Sequence, residues 1–199
     1  MNATFKLMLG TLSLLTSLSF KAGEVKYKAV AEQSSIHWLG KKTTGQHEGN
    51  VNLKSGTLTL NGNDFVSGEF LIDMNSITCI DIKEAEDAQH LVDHLKNEDF
   101  FNTASFPEAI IVIKKMVPGP AAANTYTATA DLTIKGIKNE IQFPVKLEKK
   151  GPGATATADI VLDRTKWNVV YKSKTVFSTL GDKFIYDDMY LTVKIALQP

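Results

Sequence analysis

The sequence predicts an all-β fold, an antiparallel barrel of roughly eight strands with one inserted amphipathic helix. Three observations carry this. Apolar and polar residues alternate with period two over many short runs. Gly, Pro and Asn breakers separate those runs at regular intervals. Helical periodicity occurs in one place only, over residues 84–101. A parallel sheet would need a crossover helix between most strands. A chain of 199 residues makes one domain the default.

Each element follows from its local pattern. Residues 35–40 read as the first strand, and residues 49–60 as the next. Val51 and Leu53 share a phase that Leu58 and Leu60 do not continue, so a β-bulge or sharp bend is predicted at Ser55-Gly56. Asn61-Gly62 is a hairpin signal, and the return strand runs from Phe65 to Ile72 and on to Ile77. Ala88, Leu91, Val92 and Leu95 then recur at helical spacing. Glu84, Glu86 and Asp87 at the start and Lys96 near the end suit the helix dipole. Strands follow at 109–117, 126–134, 140–147, 154–162 and 188–197, with a turn predicted at Lys138-Asn139 and a loop at Gly151-Pro152-Gly153. Residues 163–183 form a long mixed connection.

Two of these strands carry an unusual face. Alternation places Tyr126, Ala128, Ala130, Leu132 and Ile134 together, and likewise Ala154, Ala156, Ala158, Ile160 and Leu162. A barrel with such walls is apolar inside without being filled, which suits an apolar guest. The same alanines equally leave room for large side chains from the opposite wall.

Composition narrows the partners. Lys plus Arg equals Asp plus Glu at 22 each, so no net field draws the chain to nucleic acid or to an anionic membrane. Lys6 followed by a short apolar stretch from Leu7 to Leu15, with small residues at Ser17, Ser19 and Ala22, reads as an export signal over residues 1–22. Residues 23–199 then form the single mature domain, with no further apolar run of spanning length. Cys79 is the only cysteine, which excludes an intrachain disulfide, and it reads as a small buried apolar residue.

Signatures of catalysis are missing. The chain has no G-x-S-x-G, C-x-x-C or G-x-x-x-x-G-K, and His47-Glu48 lacks the second histidine of a zinc-protease helix. His90 and His94 share a helix face with Asp87 nearby, but no third ligand is evident and a solvated polar face accounts for them. No catalytic residue, metal site or cofactor is therefore assigned. Asp187 and Asp188, as strand neighbours, point to opposite faces. Arg164 is expected to clamp the late connection through a carboxylate such as Asp188, the alternative being that it meets the polar end of a ligand. Both irregular segments carry aromatics: Phe100, Phe101 and Phe106 after the helix, and Trp167, Tyr171 and Phe177 in the late connection. These either line the mouth of a pocket or plug the barrel as core.

Several of these residues together resemble the YceI-like family. His94-Leu95-Lys96-Asn97-Glu98-Asp99-Phe100-Phe101 with Phe106-Pro107 resembles its HL-x-S-x-DFF…(Y/F)P motif, with Asn97 where the family's serine usually stands. Leu132-Thr133-Ile134-Lys135-Gly136-Ile137 resembles its LTIKG(V/I) hairpin. Asp163-Arg164-Thr165-Lys166-Trp167-Asn168-Val169 and Gly181-Asp182 with Ile185-Tyr186-Asp187-Asp188 resemble its two later motifs. The resemblance spans about residues 25–197 in the family's order. It implies an extended lipocalin-like barrel of eight antiparallel strands, exported to the periplasm or secreted, holding an isoprenoid or other long-chain lipid, and often homodimeric. On this basis Leu91, Leu95, Phe100 and Phe101 are expected at the mouth. Ala128, Ala130, Ala156 and Ala158 are expected on the lumen wall, with Trp167 and Phe177 as further contacts. The family has no agreed catalytic residues. Two other readings stay open: an enzyme acting on a lipid or amide through Arg164, Asp188 or His94, and a ligand-free structural or stress-related protein.

Overall fold

The computed structural model describes residues 23–119, 123–177 and 183–199. The predicted export signal at 1–22 and the Gly181-Asp182 pair lie outside these residues. Nine strands are described: β1 (Glu24–Ala29), β2 (Ser35–Lys42), β3 (Gly45–Asn61), β4 (Asp64–Asp73), β5 (Glu108–Pro118), β6 (Thr125–Ile134), β7 (Ile137–Lys150), β8 (Gly153–Asp163) and β9 (Ile185–Gln198). Helix α1 (Ala85–Lys96) sits between β4 and β5. All strand pairings are antiparallel, in the order β1-β3-β2-β9-β8-β7-β6-β5-β4, and β3–β4 pairing closes the circle.

The extra strand has a simple origin. β3 is 17 residues long, and two shorter strands pair with it end to end. β2 runs along residues 45–51, and β1 runs along residues 57–61 in the same direction. A 3₁₀ turn at Ala31–Gln33 separates the two. β1 and β2 thus share one position of an eight-stranded barrel. Sequence alternation missed β1 because only Tyr27 of its six residues is buried.

The predicted bend in β3 is present as a register shift between Leu53 and Ser55. It restores inward parity, so that Val51, Leu53, Leu58 and Leu60 are all buried. The β3–β4 hairpin forms where predicted, but Asn61 still pairs with Asp64, leaving Gly62-Asn63 as the loop. β4 stops at Asp73 rather than running to Ile77, because the Asp73 carboxylate accepts from the Asn75 N–H and starts a 3₁₀ turn. The turn expected at Lys138-Asn139 lies instead at Lys135-Gly136, where both residues have positive φ, at 51° and 73°. Asn139 is inside β7 and spends its side-chain amide on the Lys166 carbonyl at 2.8 Å.

Two features build the end of the barrel that carries α1. Residues 77–81 run along the outer edge of β3, with Thr78 N–H donating to the Asn50 carbonyl and Ile80 N–H to the Glu48 carbonyl, both at 2.9 Å. Gly49 permits this approach, since a Cβ there would lie 1.8 Å from the Thr78 carbonyl oxygen. After α1 the chain folds back sharply: Phe101 N–H donates to the Leu95 carbonyl, and Thr103 N–H to the Lys96 carbonyl. That reversal turns Phe100 and Phe101 into the core, where both are buried. Helix α1 is shorter than the predicted span, and of its apolar face only Val92 and Leu95 are fully buried.

The wall has one long interruption. β7 and β8 pair only from Lys146↔Thr157 to Lys150↔Gly153. Residues 137–145 of β7 continue along β6, and residues 158–163 of β8 continue along β9, without pairing with each other. Pro144 lies in this stretch of β7 and has no N–H to donate.

The candidate lipid-binding lumen

Two apolar chambers follow one another along the barrel interior. The first, of about 130 Å³, is walled by residues such as Leu58, Phe70, Met116, Ala128, Ala156 and Ala158, and among the described residues Thr157 is the only hydroxyl residue on its wall. The second, of about 140 Å³, lies toward α1 and meets Trp38, Met74, Leu95, Phe100, Phe101 and Ile134. Ile36, Ile72, Leu132, Leu162 and Leu191 line both, so an aliphatic collar separates the two halves of one lumen. Each chamber matches in size an engineered apolar cavity of about 150 Å³ that stays dry and accepts benzene.

Of the residues singled out by sequence, Ala128, Ala156 and Ala158 line the first chamber, and Leu95, Phe100 and Phe101 line the second. Four lie elsewhere. Ala130 points inward by parity and is fully buried, but it packs into the wall and lines neither chamber. Leu91 lines a surface groove instead of the lumen. Trp167 is 1% exposed and donates its indole N–H to the Leu132 carbonyl at 3.0 Å, so it is wall structure and not a lumen contact. Phe177 is 45% exposed and borders an outer groove with Glu98 and Lys135. Alternation placed Leu132 and Leu162 on inward faces but did not mark a collar, since inward aliphatics on strands look the same whether they fill a core or line a channel.

Among the described residues two charged side chains, Arg164 and Asp188, belong to residues lining the second chamber, and Arg164 is spent on structure. Arg164 is 5% exposed. It donates to the carbonyls of Tyr186, Val169, Tyr171 and Ile185 at 2.6–3.2 Å. Its carboxylate partner is Asp187, at 3.4 Å, and not the predicted Asp188. Asp187 is the more buried member of the pair and shares strand parity with Ile185 and Met189. Burial pulls the Arg164 pKa below its usual value, against the opposing charges of Asp187 and Asp163. Burial pushes Asp187 the other way, but hydrogen bonds from Thr175 and Ser173 and the Arg164 charge outweigh it and hold the carboxyl below its ordinary range. Its Oδ1 has no hydrogen bond and depends on the Arg164 ion pair alone. Arg164 thus clamps the late connection, as expected.

His94 lies at the α1 end, on the groove side of Phe100. Its ring packs edge-on against Phe100 and Tyr171, with centroids 5.0 and 4.6 Å apart, and its Nε2 lies 3.7 Å from Asp99. His90 is exposed on the helix. Among the described residues no group of three or more His, Cys, Asp or Glu side chains is placed to hold a metal ion. Cys79 is half-buried, not fully buried as expected, and its thiol donates to Asp81 at 3.2 Å. Burial pushes its pKa up. No described helix is long and apolar enough to cross a membrane.

Comparison with known proteins agrees with this architecture. No curated protein sequence matches the chain. Among solved structures, Burkholderia cenocepacia BcnA superposes with a TM-score of 0.68 at 20% identity, covering 84% of this chain and 98% of that one. A polyisoprenoid binding domain from Saccharophagus degradans, implicated in plant cell wall breakdown, gives a TM-score of 0.60 at 12% identity, covering 86% and 97%. The Campylobacter jejuni YCEI protein gives 0.53 at 14% identity, covering 98% and 91%. At these identities the likeness establishes a shared fold. The YceI-like domain family matches residues 27–197, nearly the whole described barrel, and the chain belongs to that family.

Proposed function

We propose that this protein is an exported, non-catalytic carrier that shelters an isoprenoid or other long-chain lipid inside its barrel. The two-chambered apolar lumen carries the reading. A chain lying through the collar buries its surface against aliphatic and aromatic side chains, at about 25 cal/mol per Å² removed from water. Such a guest needs few hydrogen bonds, and the lumen wall provides few polar side chains. The Saccharophagus degradans relative, described as a polyisoprenoid binding domain, supports the class of ligand. Export to the periplasm or beyond rests on the pattern of residues 1–22.

The test is extraction of the natively purified protein with organic solvent, followed by mass spectrometry. A chain-bearing lipid at near-stoichiometric amount is expected from the wild type. Ala158→Phe places a ring in the first chamber and should cut the recovered lipid several-fold while the barrel stays folded by circular dichroism. A wild type that yields nothing, or a folded Ala158→Phe variant that yields as much, overturns the carrier.

A further inference from the structure

We propose that the surface groove at the α1 end is a cationic vestibule that receives the anionic head group, a phosphate ester or carboxylate, of the lipid held in the lumen. The proposal rests on the carrier reading and specifies the polar end of its cargo. The groove measures about 370 Å³ and lies between the β2–β3 turn, α1 and the late connection. It is not an isolated dent: Phe100 and Ile185 line both the groove and the second chamber, forming the partition between them. A chain whose last carbons pass that partition leaves its head in the groove.

The chemistry of the groove is one-sided. Lys42, Lys172 and Lys183 line it together with His47 and His94, and no carboxylate residue lines it among the described residues. The nearby acids are occupied: Asp81 accepts from His47 at 2.9 Å, and Asp99 lies 3.7 Å from His94. Lys42 donates to the second nitrogen of His47 at 2.9 Å. Lys172 lies 5.2 Å from the Tyr171 ring centroid. None of the three ammoniums forms an ion pair with a carboxylate among the described residues, in a chain whose formal charge sums to zero. Three lysines without a carboxylate partner among the described residues, at the rim of an otherwise apolar channel, favour an anion there, because lysine acts as a point charge toward oxyanions.

The delipidated full chain tests this with three probes that share one hydrocarbon tail: geranylgeranyl monophosphate, geranylgeranoic acid and geranylgeraniol. Trp38 lines the second chamber, so intrinsic tryptophan fluorescence reads binding of the tail. At low ionic strength an anionic probe is expected to bind roughly tenfold tighter than the alcohol, and the advantage should shrink with added salt. Whichever anion gains more identifies the head group. The triple variant Lys42→Gln, Lys172→Gln, Lys183→Gln should lose that advantage while binding the alcohol as the wild type does, which also shows that it folds. Equal affinity for all three probes, or an anion preference that survives the triple substitution, overturns the vestibule and leaves the carrier standing. Failure of every probe to bind removes the carrier, and the vestibule with it.

Discussion

At the scale of single residues, the polar chain beside the barrel mouth has a definite proton arrangement. Lysine can only donate, so His47 Nε2 accepts from Lys42 and its Nδ1–H donates to Asp81. Asp81 also accepts from the Glu48 N–H at 3.0 Å and from the Cys79 thiol, tying residues 77–81 to the edge of β3. Burial raises the Asp81 pKa, but these bonds outweigh it and bring it from 3.8 down to about 2. A carboxyl with a depressed folded pKa stabilises the fold above its unfolded value, and that contribution disappears as pH falls through the folded value. The full linkage is about 2.5 kcal/mol, and partial exposure of Asp81 reduces it to roughly 1 kcal/mol. Asp81→Asn is therefore expected to lose about 1 kcal/mol in urea unfolding at pH 7, with the gap to wild type closing between pH 3.8 and 2. A gap that stays constant with pH would show that Asp81 contributes through shape and not charge.

At the scale of elements, the unpaired stretch between β7 and β8 makes a prediction that no single residue makes. Antiparallel strands direct alternate amides to opposite neighbours. Over residues 158–163 every second amide faces β9 and is bonded, while the intervening ones face a strand that has moved away. Hydrogen exchange should thus alternate along β8 there, with slow and fast amides differing by orders of magnitude, and become uniformly slow over residues 154–157. Uniform protection through residue 163 would mean that the ladder is continuous. The alternation of residues 140–147 gave no sign of this edge, since Pro144 alone does not say where a partner strand goes. The same contrast holds across the fold. Parity along a strand is local, so the inward faces of β6 and β8, the bend in β3 and the lumen positions of Ala128, Ala156 and Ala158 were readable from alternation. The position of β1 depends on the length of its partner β3, which is a tertiary fact. Trp167 ends a single 3₁₀ turn (Arg164–Trp167) and Phe177 sits in irregular chain, neither with the periodicity to dictate direction, so their aromatic character did not reveal that one is wall and the other surface.

At the scale of the whole molecule, the barrel combines continuous burial with unfilled space. Aromatic and aliphatic residues from seven of the eight wall positions form a single buried cluster, with the half-buried Phe65, Phe70 and Ile72 of β4 packed against it, yet about 130 and 140 Å³ on either side of the collar contain no side chain. Well-packed interiors leave few voids larger than a water molecule, so the lining of these chambers forgoes dispersion contacts that a guest would supply. A guest that enters only the folded barrel stabilises it by about 2.7 kcal/mol at a free concentration one hundred times its Kd. For a chain of this size that corresponds to a rise in Tm of roughly 5–10 °C. Delipidated protein is accordingly expected to melt several degrees below the same protein reloaded with geranylgeraniol, with the difference growing logarithmically with lipid concentration. Ala158→Phe should weaken the response, because its ring occupies space the chain needs. A Tm that does not move, in protein that mass spectrometry shows to be loaded, would place the lipid on the outside of the wall and leave the lumen as unused space.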